Sequence, residues 1–138
     1  MTTAVIDTNV VISAFVGHGK PQSLVTKLLE EHVVVTSREM LAELADVLSR
    51  EKFKEVKETQ AKTFVSILAS KSVLVRTKQH LRIIPEDPDD DMVLNTALSG
   101  KADYIVTGDT HLLNLREFRG IRIVTVNEMV QLLRTRSA

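Results

Sequence analysis

Apolar and polar positions along the chain follow two alternating patterns. Short runs of β-branched apolar residues predict buried strands, and longer segments with apolar residues at every third or fourth position predict helices. The short runs predict strands at residues 3–6, 33–36, 72–75, 103–107 and 122–126. The longer segments predict helices at residues 21–31, 37–49, about 53–71 and 90–99, the last of these closed by a left-handed Gly100, and a final helix capped by Asn127.

Strands that alternate with helices need crossover connections, which make the strands parallel and cover both faces of the sheet. The pattern therefore predicts an α/β fold with three layers, α/β/α, around a parallel sheet of about five strands. The length of 138 residues is that of one domain, which we expect to span residues 1–138. In such folds, functional sites lie beyond the carboxyl ends of the strands.

Composition removes several classes of function. The chain has no Cys, which excludes disulfide scaffolds, Cys-based zinc modules, iron–sulfur centres and thiol nucleophiles. It contains no P-loop, no GxGxxG motif and no Ser-His-Asp arrangement. No apolar run could span a bilayer, and the first residues lack the features of a secretory signal, so we expect a cytoplasmic protein.

Charge is balanced overall but segregated along the chain. The totals are 18 basic and 18 acidic side chains. Residues 38–82 hold ten basic and six acidic side chains, whereas residues 83–114 hold one basic and seven acidic ones. Local fields of both signs are therefore expected, without a strong overall field for a polyanion.

Two acids stand at the carboxyl ends of predicted strands. Asp7 comes after the first strand, and Asp109 comes after the strand at 103–107. If these strands are neighbours, both carboxylates reach the same crevice, where Asn9 and Thr107 could hold them in place. Asp7 has a second interpretation as an Asx turn or a helix N-cap.

Two further acids lie on predicted helices. Glu43 falls at the edge of the apolar stripe of helix 37–49, so it is the acid of that helix best placed to point inward. Five acids between residues 86 and 91 precede the next helix, more than capping or the helix dipole requires. Asp90 lies nearest the apolar face of that helix, and the alternatives that stay open are Asp87, Asp89 and Asp91.

Four carboxylates in one crevice need cations between them. At an effective dielectric constant near 20, each pair of charges about 5 Å apart costs roughly 3 kcal/mol. Oxygen ligands of this kind suit Mg²⁺ or Mn²⁺. We expect the fold to raise the pKa of at least one of these acids, and Asp7→Asn or Asp109→Asn to stabilise the metal-free protein. The four His residues have no i, i+4 pairing, and we assign His111 to a surface loop.

Together these segments resemble the PIN domains of VapC-like toxins from type II toxin–antitoxin pairs. The resemblance rests on VIDTNVVISA at 5–14, SREMLAEL at 37–44, DPDDD at 87–91 and ADYIVTGD at 102–109, which stand in the order of that family. It implies a single PIN-like nuclease domain that hydrolyses RNA phosphodiester bonds with Mg²⁺ or Mn²⁺. The catalytic and metal-binding residues it implies are Asp7, Glu43, Asp90 and Asp109. The chain departs from the family at His111, where related sequences often have another acid.

The resemblance also implies a mechanism and partners. One metal would lie between Asp7 and Asp90 and a second near Asp109, while Glu43 would bind a metal or orient the attacking water. The partners would be RNA and a small antitoxin protein. Candidate RNA contacts are the basic residues outside the crevice, Arg38, Arg50, Lys52 and Lys54. Surplus apolar side chains on helices 21–31 and 37–71 predict a homodimer.

Two other classes of function remain as alternatives. The first is a catalytically silent, PIN-like regulatory module that binds RNA or protein, although such a remnant has no reason to keep all four acids. The second is a phosphotransfer protein. A phosphatase of the haloacid dehalogenase type needs an acid at position 9, which is Asn, and a receiver domain needs an Asp after the third strand, which ends at Val75-Arg76.

Overall fold

A sheet of six strands lies at the centre of the computed structural model, which describes residues 1–17, 19–50, 58–78, 80–85 and 87–137. The strands are β1 (Thr3–Ile6), β2 (Val33–Ser37), β3 (Val73–Val75), β4 (Tyr104–Val106), β5 (Glu117–Phe118) and β6 (Ile121–Val124). The helices in the described ranges are α1 (Thr8–Val16), α2 (Lys20–Glu31), α3 (Arg38–Leu48), α4 (Glu58–Lys71), α5 (Pro88–Ser99), α6 (Thr110–Leu115) and α7 (Val126–Ser137).

The strand order is β3-β2-β1-β4-β6-β5, and the first five of these strands are parallel. This confirms the predicted α/β class and the parallel sheet. The predicted number of strands was one too low, because β5 adds a short antiparallel edge to β6. With two residues, β5 is too short to produce a periodic pattern, and it is joined to β6 by a turn in which Gly120 has a φ of +86°.

Two apolar cores, one on each face of the sheet, confirm the three layers. Side chains of a strand alternate between faces, so Ala4 and Ile6 belong to one core and Val5 to the other. The first core is covered by α1, α2, α3, α4 and α7. The second core is covered mainly by α5 and α6.

Helix α1 was not predicted, because its sequence contains the β-branched run Val10-Val11-Ile12, which disfavours helix. Burial overrides this propensity, since Val10, Val11 and Ala14 pack into the core. Asp7 is the N-cap of α1, and its side chain accepts a hydrogen bond from Thr8 N. Both sequence interpretations of Asp7 are therefore compatible: it caps a helix and it stands at the carboxyl end of β1.

Two predicted helix ends are wrong. Asn127 does not cap α7; Thr125 Oγ1 accepts from Glu128 N, and Glu128 Oε1 accepts from Thr125 N, which forms a capping box. Gly100 is not left-handed, since its φ is −89°. It is needed for space instead, because a Cβ at this position would collide with the side chain of Val35.

The pairing of β1 with β4 positions the candidate site. Ile6 lies opposite Val106 in this parallel pair, so the residues that follow both strands leave the sheet at the same edge. The strands before Asp7 and Asp109 are thus neighbours, which is the condition under which both carboxylates reach the same crevice. Among the described residues, no helix is both long enough and apolar enough to cross a membrane.

Candidate active site

Asp7 is buried at the carboxyl end of β1 and held by two hydrogen bonds. Its Oδ1 accepts from Thr8 N at 2.8 Å, and its Oδ2 accepts from Thr107 Oγ1 at 2.7 Å. Burial raises the pKa of Asp7, the two hydrogen bonds counteract this, and the charges of Asp109 and Asp87 add to the rise. The carboxylate is therefore fixed in place, close to other acids.

Thr107 joins the two strand-end acids. Its Oγ1 donates to Asp7 and accepts from Asp109 N at 3.0 Å, while its own N donates to Val124 O. The side chain is fully buried. The expected supporting role of Thr107 thus has a geometric basis. Asn9 is exposed on the first turn of α1, where it lines a groove of ≈ 470 Å³ with Thr107 and Gly108.

Asp109 is the N-cap of α6. Its Oδ1 accepts from His111 N at 2.8 Å, which fixes the start of the helix. His111 therefore lies on α6, and its assignment to a surface loop is wrong. Its side chain is 52% exposed, and its Nδ1 is turned toward the acids described next.

The acidic run before α5 separates into distinct roles. Asp87 is the N-cap of α5 and accepts from Asp89 N, with Pro88 following at the first helical position. Asp89 is exposed. Asp91 Oδ1 accepts from Ile83 N at 2.9 Å and Ile84 N at 2.7 Å, so it holds the preceding segment. Of the four alternatives, Asp87 and Asp90 face Asp109.

Asp90 is the least satisfied acid. It is only 3% exposed, and its Oδ2 has no hydrogen-bond partner among the described atoms. Burial raises the pKa of Asp90 to about 8, with further contributions from the charges of Asp109 and Asp87. This confirms the expectation that the fold raises the pKa of at least one acid of the set.

A possible metal-binding group brings together side chains from α5 and α6. Its ligand atoms all lie within 4.8 Å of one another. His111 Nδ1 lies 3.8 Å from Asp90 Oδ2, and 3.9 Å from both Asp87 Oδ2 and Asp109 Oδ1. We call these four residues the α5–α6 cluster: Asp87, Asp90, Asp109 and His111.

Glu43 reaches the site through Thr8. Its Oε2 accepts from Thr8 Oγ1 at 3.1 Å, and the side chain is partly buried, as its place at the stripe edge predicted. Burial raises the pKa of Glu43 most, and the negative charge of Asp89 raises it further. The four predicted acids are thus divided: Asp90 and Asp109 belong to the α5–α6 cluster, while Asp7 and Glu43 lie beside it.

The sequence left Asp87 as one of several alternatives, assigned His111 to a loop and did not single out Thr8. Asp87 had a usable signal, because residues three apart on a helix share a face, and Asp87 precedes Asp90 by three. His111 could be placed only with α6, whose six residues are too few to show a periodicity. Thr8 belongs to α1, which the apolar pattern did not predict.

The candidate RNA contacts differ in their surroundings. Arg38 is exposed at the first residue of α3. Arg50 forms an exposed ion pair with Asp46, with 3.3 Å between Nη2 and Oδ2, which engages part of its charge. Lys52 and Lys54 lie outside the described residues.

Comparison with known proteins gives a family match and several structural neighbours. A family model described as PIN domain matches residues 3–111. No curated protein matches the chain. The structure of VapBC2 from Rickettsia felis, bound to a DNA fragment from their promoter, is similar with a TM-score of 0.64 and 16% identity, covering 90% of this chain and 98% of that chain.

Two more solved structures are similar over nearly their whole chains. FitAB bound to an IR36 DNA fragment has a TM-score of 0.57 and 17% identity, covering 89% of this chain and 94% of that chain. FitAcB from Neisseria gonorrhoeae has a TM-score of 0.57 and 19% identity, covering 89% and 97%. At these identities, the likeness shows a shared fold.

Proposed function

Because the chain belongs to the PIN-domain family, we propose that it is a metal-dependent endoribonuclease and the toxin of a toxin–antitoxin pair. Residues 1–138 would form one nuclease domain acting in the cytoplasm. One observation carries the proposal: the Oδ2 of the buried Asp90 carboxylate has no hydrogen-bond partner among the described residues and faces the rest of the α5–α6 cluster.

The side chains present fit a divalent cation. An ionised carboxylate without a donor is costly to bury, and a cation between Asp87, Asp90 and Asp109 would remove that cost. Carboxylate oxygens are the ligands that Mg²⁺ and Mn²⁺ take. When bound, such a cation polarises a phosphate and lowers the pKa of a water molecule.

The remaining residues of the site would position and transfer protons. Asp7 is held rigidly by Thr8 N and Thr107, so its negative charge stays beside the α5–α6 cluster. Glu43, with its raised pKa, is partly buried at the edge of the site. It is the group we assign to orient the attacking water and accept its proton.

RNA would have to approach over positive charge, because the acidic cluster repels phosphates. We propose Arg38 as the principal contact among the described candidates, since it is exposed at the start of the helix that carries Glu43. Arg50, Lys52 and Lys54 complete the proposed set, with Arg50 already paired to Asp46.

RNA cleavage should depend on added metal. We expect cleavage of a long RNA with Mg²⁺ or Mn²⁺, loss of cleavage in excess EDTA and recovery when metal is added back, because Asp90 and its neighbours would provide the metal site. Asp90→Asn is the control for a contaminating nuclease. Full cleavage in EDTA would contradict the proposal. Binding of RNA without cleavage under every metal condition would favour the silent regulatory module.

The protein partner is proposed from the fold neighbours. VapBC2 and FitAB are complexes, and both are bound to DNA fragments. We propose that this chain likewise works with a small antitoxin protein. The test is co-expression with any small protein encoded beside its gene: purification of a stable complex would support the proposal, and failure of the two chains to co-purify would contradict it.

We also propose a homodimer through α2, α3 and α4, the helices on which the sequence predicted an apolar surplus. Val16 and Ile67 are 53% and 47% exposed, and a groove of ≈ 260 Å³ between α1, α2 and α4 is lined by Phe15, Leu29 and Phe64. We expect a dimer by light scattering at tens of micromolar, and a monomer for Ile67→Glu. A parent protein that is monomeric at this concentration would contradict the proposal.

A further inference from the structure

We propose that His111 Nδ1 is a direct ligand of the bound cation and that it makes the α5–α6 cluster select Mn²⁺ over Mg²⁺. The inference rests on the proposed function and names the cofactor of the same site. It concerns a residue that the resemblance marks as a departure, since an acid often stands at this position in related sequences.

The position of the imidazole is set by the backbone. His111 N donates to Asp109 Oδ1 at 2.8 Å, so the residue is fixed at the first turn of α6 whatever its side chain. Asp109 N is in turn held by Thr107 Oγ1. Substitution at position 111 should therefore remove the imidazole without displacing Asp109.

The distances indicate shared ligation rather than hydrogen bonding. His111 Nδ1 lies 3.8–3.9 Å from one oxygen of each acid in the cluster, beyond the length of an N–H···O hydrogen bond. Ligand atoms about 2.1–2.2 Å from one ion lie roughly 3.0–4.4 Å apart. The imidazole is therefore spaced as one ligand among several around an ion.

An independent observation points to an ion at the centre of this group. Asp90 is 3% exposed, and its Oδ2 has no hydrogen-bond partner in the part of the chain described. Of the three carboxylate oxygens around His111 Nδ1, that oxygen is the nearest, at 3.8 Å. A cation between these two atoms would satisfy the buried oxygen and bring the nitrogen into the same coordination sphere.

The chemistry of the ligands sets the preference. Mg²⁺ keeps oxygen ligands and water, whereas imidazole nitrogen suits transition metals. Exchanging a carboxylate for an imidazole also removes one negative charge from the site. The binding of a hard cation such as Mg²⁺ depends most on that charge. With three carboxylates and one imidazole, the cluster should bind Mn²⁺ well and Mg²⁺ less well.

The first measurement detects the bond itself in the full chain. Electron spin-echo spectroscopy of bound Mn²⁺ should show coupling to a directly bound ¹⁴N nucleus. We expect this coupling in the parent and in His80→Asn, an exposed histidine outside the cluster. It should be lost in His111→Asn and in His111→Asp. A parent whose bound Mn²⁺ shows no ¹⁴N coupling would overturn the inference.

The second measurement gives the selectivity by calorimetry with Mn²⁺ or Mg²⁺ alone. His111→Asn should weaken Mn²⁺ binding at least about ten-fold, the lower end of what loss of a metal-site partner costs, and change Mg²⁺ binding less. His111→Asp, with an all-oxygen set, should strengthen Mg²⁺ relative to Mn²⁺. Unchanged affinities in both variants would make His111 only a neighbour of the acids, not a ligand, and would overturn the inference.

The two proposals fail in different ways. If the parent and His80→Asn bind neither metal, or if Asp90→Asn binds Mn²⁺ as tightly as the parent, the metal-dependent nuclease loses its support and this inference falls with it. If Mn²⁺ binds, is lost in Asp90→Asn, but shows neither nitrogen coupling nor dependence on His111, only the inference about His111 is wrong.

Discussion

Asp90→Asn is expected to lower RNA cleavage about a hundred-fold or more, the upper end of what loss of a group supporting a metal costs, and yet to stabilise the metal-free protein. In EDTA at pH 7 the free energy of unfolding should rise on the order of 3 kcal/mol. The variant keeps the shape of the side chain and removes a carboxyl that the fold prevents from ionising freely and whose Oδ2 has no partner among the described atoms. A substitution that removes function and raises stability is typical of a site in which the fold holds groups of like charge close together.

The sign of the pH dependence follows from the direction of the pKa shift. Burial and the charges of Asp109 and Asp87 raise the pKa of Asp90 to about 8 in the fold, from 3.8. The folded state therefore binds this proton more tightly than the unfolded state. The resulting stability is fully present below about pH 4 and is lost as the pH rises toward 8. Asn cannot titrate, so the gap between variant and parent should open over this interval.

Urea unfolding in EDTA at pH 4, 6 and 8 measures the effect. Asp89→Asn is the matched control, because Asp89 is exposed in the same acidic run, and it should change stability by less than about 0.5 kcal/mol. Adding Mn²⁺ should stabilise the parent and not Asp90→Asn. If Asp90→Asn unfolds more easily than the parent in EDTA at every pH, its carboxylate is structural and the metal site loses its main support.

The neighbouring acid should give the opposite sign. Asp91 Oδ1 accepts two backbone hydrogen bonds, from Ile83 N and Ile84 N. Asp91→Ala leaves both donors without this acceptor and should destabilise the protein by about 2 kcal/mol with or without metal. Asp90 and Asp91 are adjacent, yet their carboxylates should affect the free energy of unfolding in opposite directions. The Asp91 carboxylate accepts hydrogen bonds at Oδ1, whereas Asp90 Oδ2 has no partner among the described atoms.

The sequence did not predict that Asp90 is the acid at which Asn should stabilise the metal-free protein. From the sequence, Asp7 and Asp109 were the positions at which Asn should relieve repulsion. Both of these carboxylates accept hydrogen bonds, Asp7 from Thr8 N and Thr107 Oγ1, and Asp109 from His111 N. Asn at either position removes a negative charge but is also a weaker hydrogen-bond acceptor. The stability gained from reduced repulsion at Asp7 or Asp109 is therefore offset by weaker hydrogen bonds.

Features that depend on the apolar pattern of buried strands and of the longer helices were predictable. Asp7 comes directly after β1 and Asp109 comes shortly after β4, and two parallel strands that end together bring those acids to one edge of the sheet. The same holds for Glu43, whose place at the edge of the α3 stripe follows from 100° per residue. Periodicity fixes which face a residue takes, and at these positions that information was sufficient.

Features that depend on short elements or on helix phase were not predictable. The order of the acids at 87–91 is decided by where α5 starts, which Asp87 and Pro88 set, and by the contact of Asp91 with residues 83 and 84. His111 turns toward the acids because Asp109 caps a helix of six residues. Neither the cap nor the tertiary contact leaves a repeating pattern in the apolar residues.

Thr107→Val is expected to weaken both the fold and the site, because one hydroxyl holds two acids. The substitution leaves the buried Asp7 Oδ2 without its donor and Asp109 N without its acceptor. Each lost partner of a buried group costs about 1–3 kcal/mol, so we expect a loss of roughly 2–4 kcal/mol in unfolding free energy. Cleavage should fall at least about ten-fold, since displacement of catalytic groups by 1 Å is enough for a larger effect.

Thr107→Ser is the matched control. It retains the hydroxyl and loses only a methyl group, so it should cost less than about 1.5 kcal/mol and keep most of the activity. Unfolding in urea and a cleavage assay on the same two variants make the comparison. Equal stability and equal activity of the Val and Ser variants would show that Thr107 does not hold the acids.

The pH dependence of Thr107→Val separates the hydrogen bond from packing. The Thr107 hydroxyl lowers the pKa of Asp7 against the rise caused by burial, so its removal should raise that pKa further. A higher folded pKa makes the ionised carboxylate costlier wherever Asp7 is charged in the unfolded chain, which is above about pH 4. The deficit of the Val variant relative to the Ser variant should therefore grow between pH 4 and pH 7, whereas a packing defect would be the same at both values.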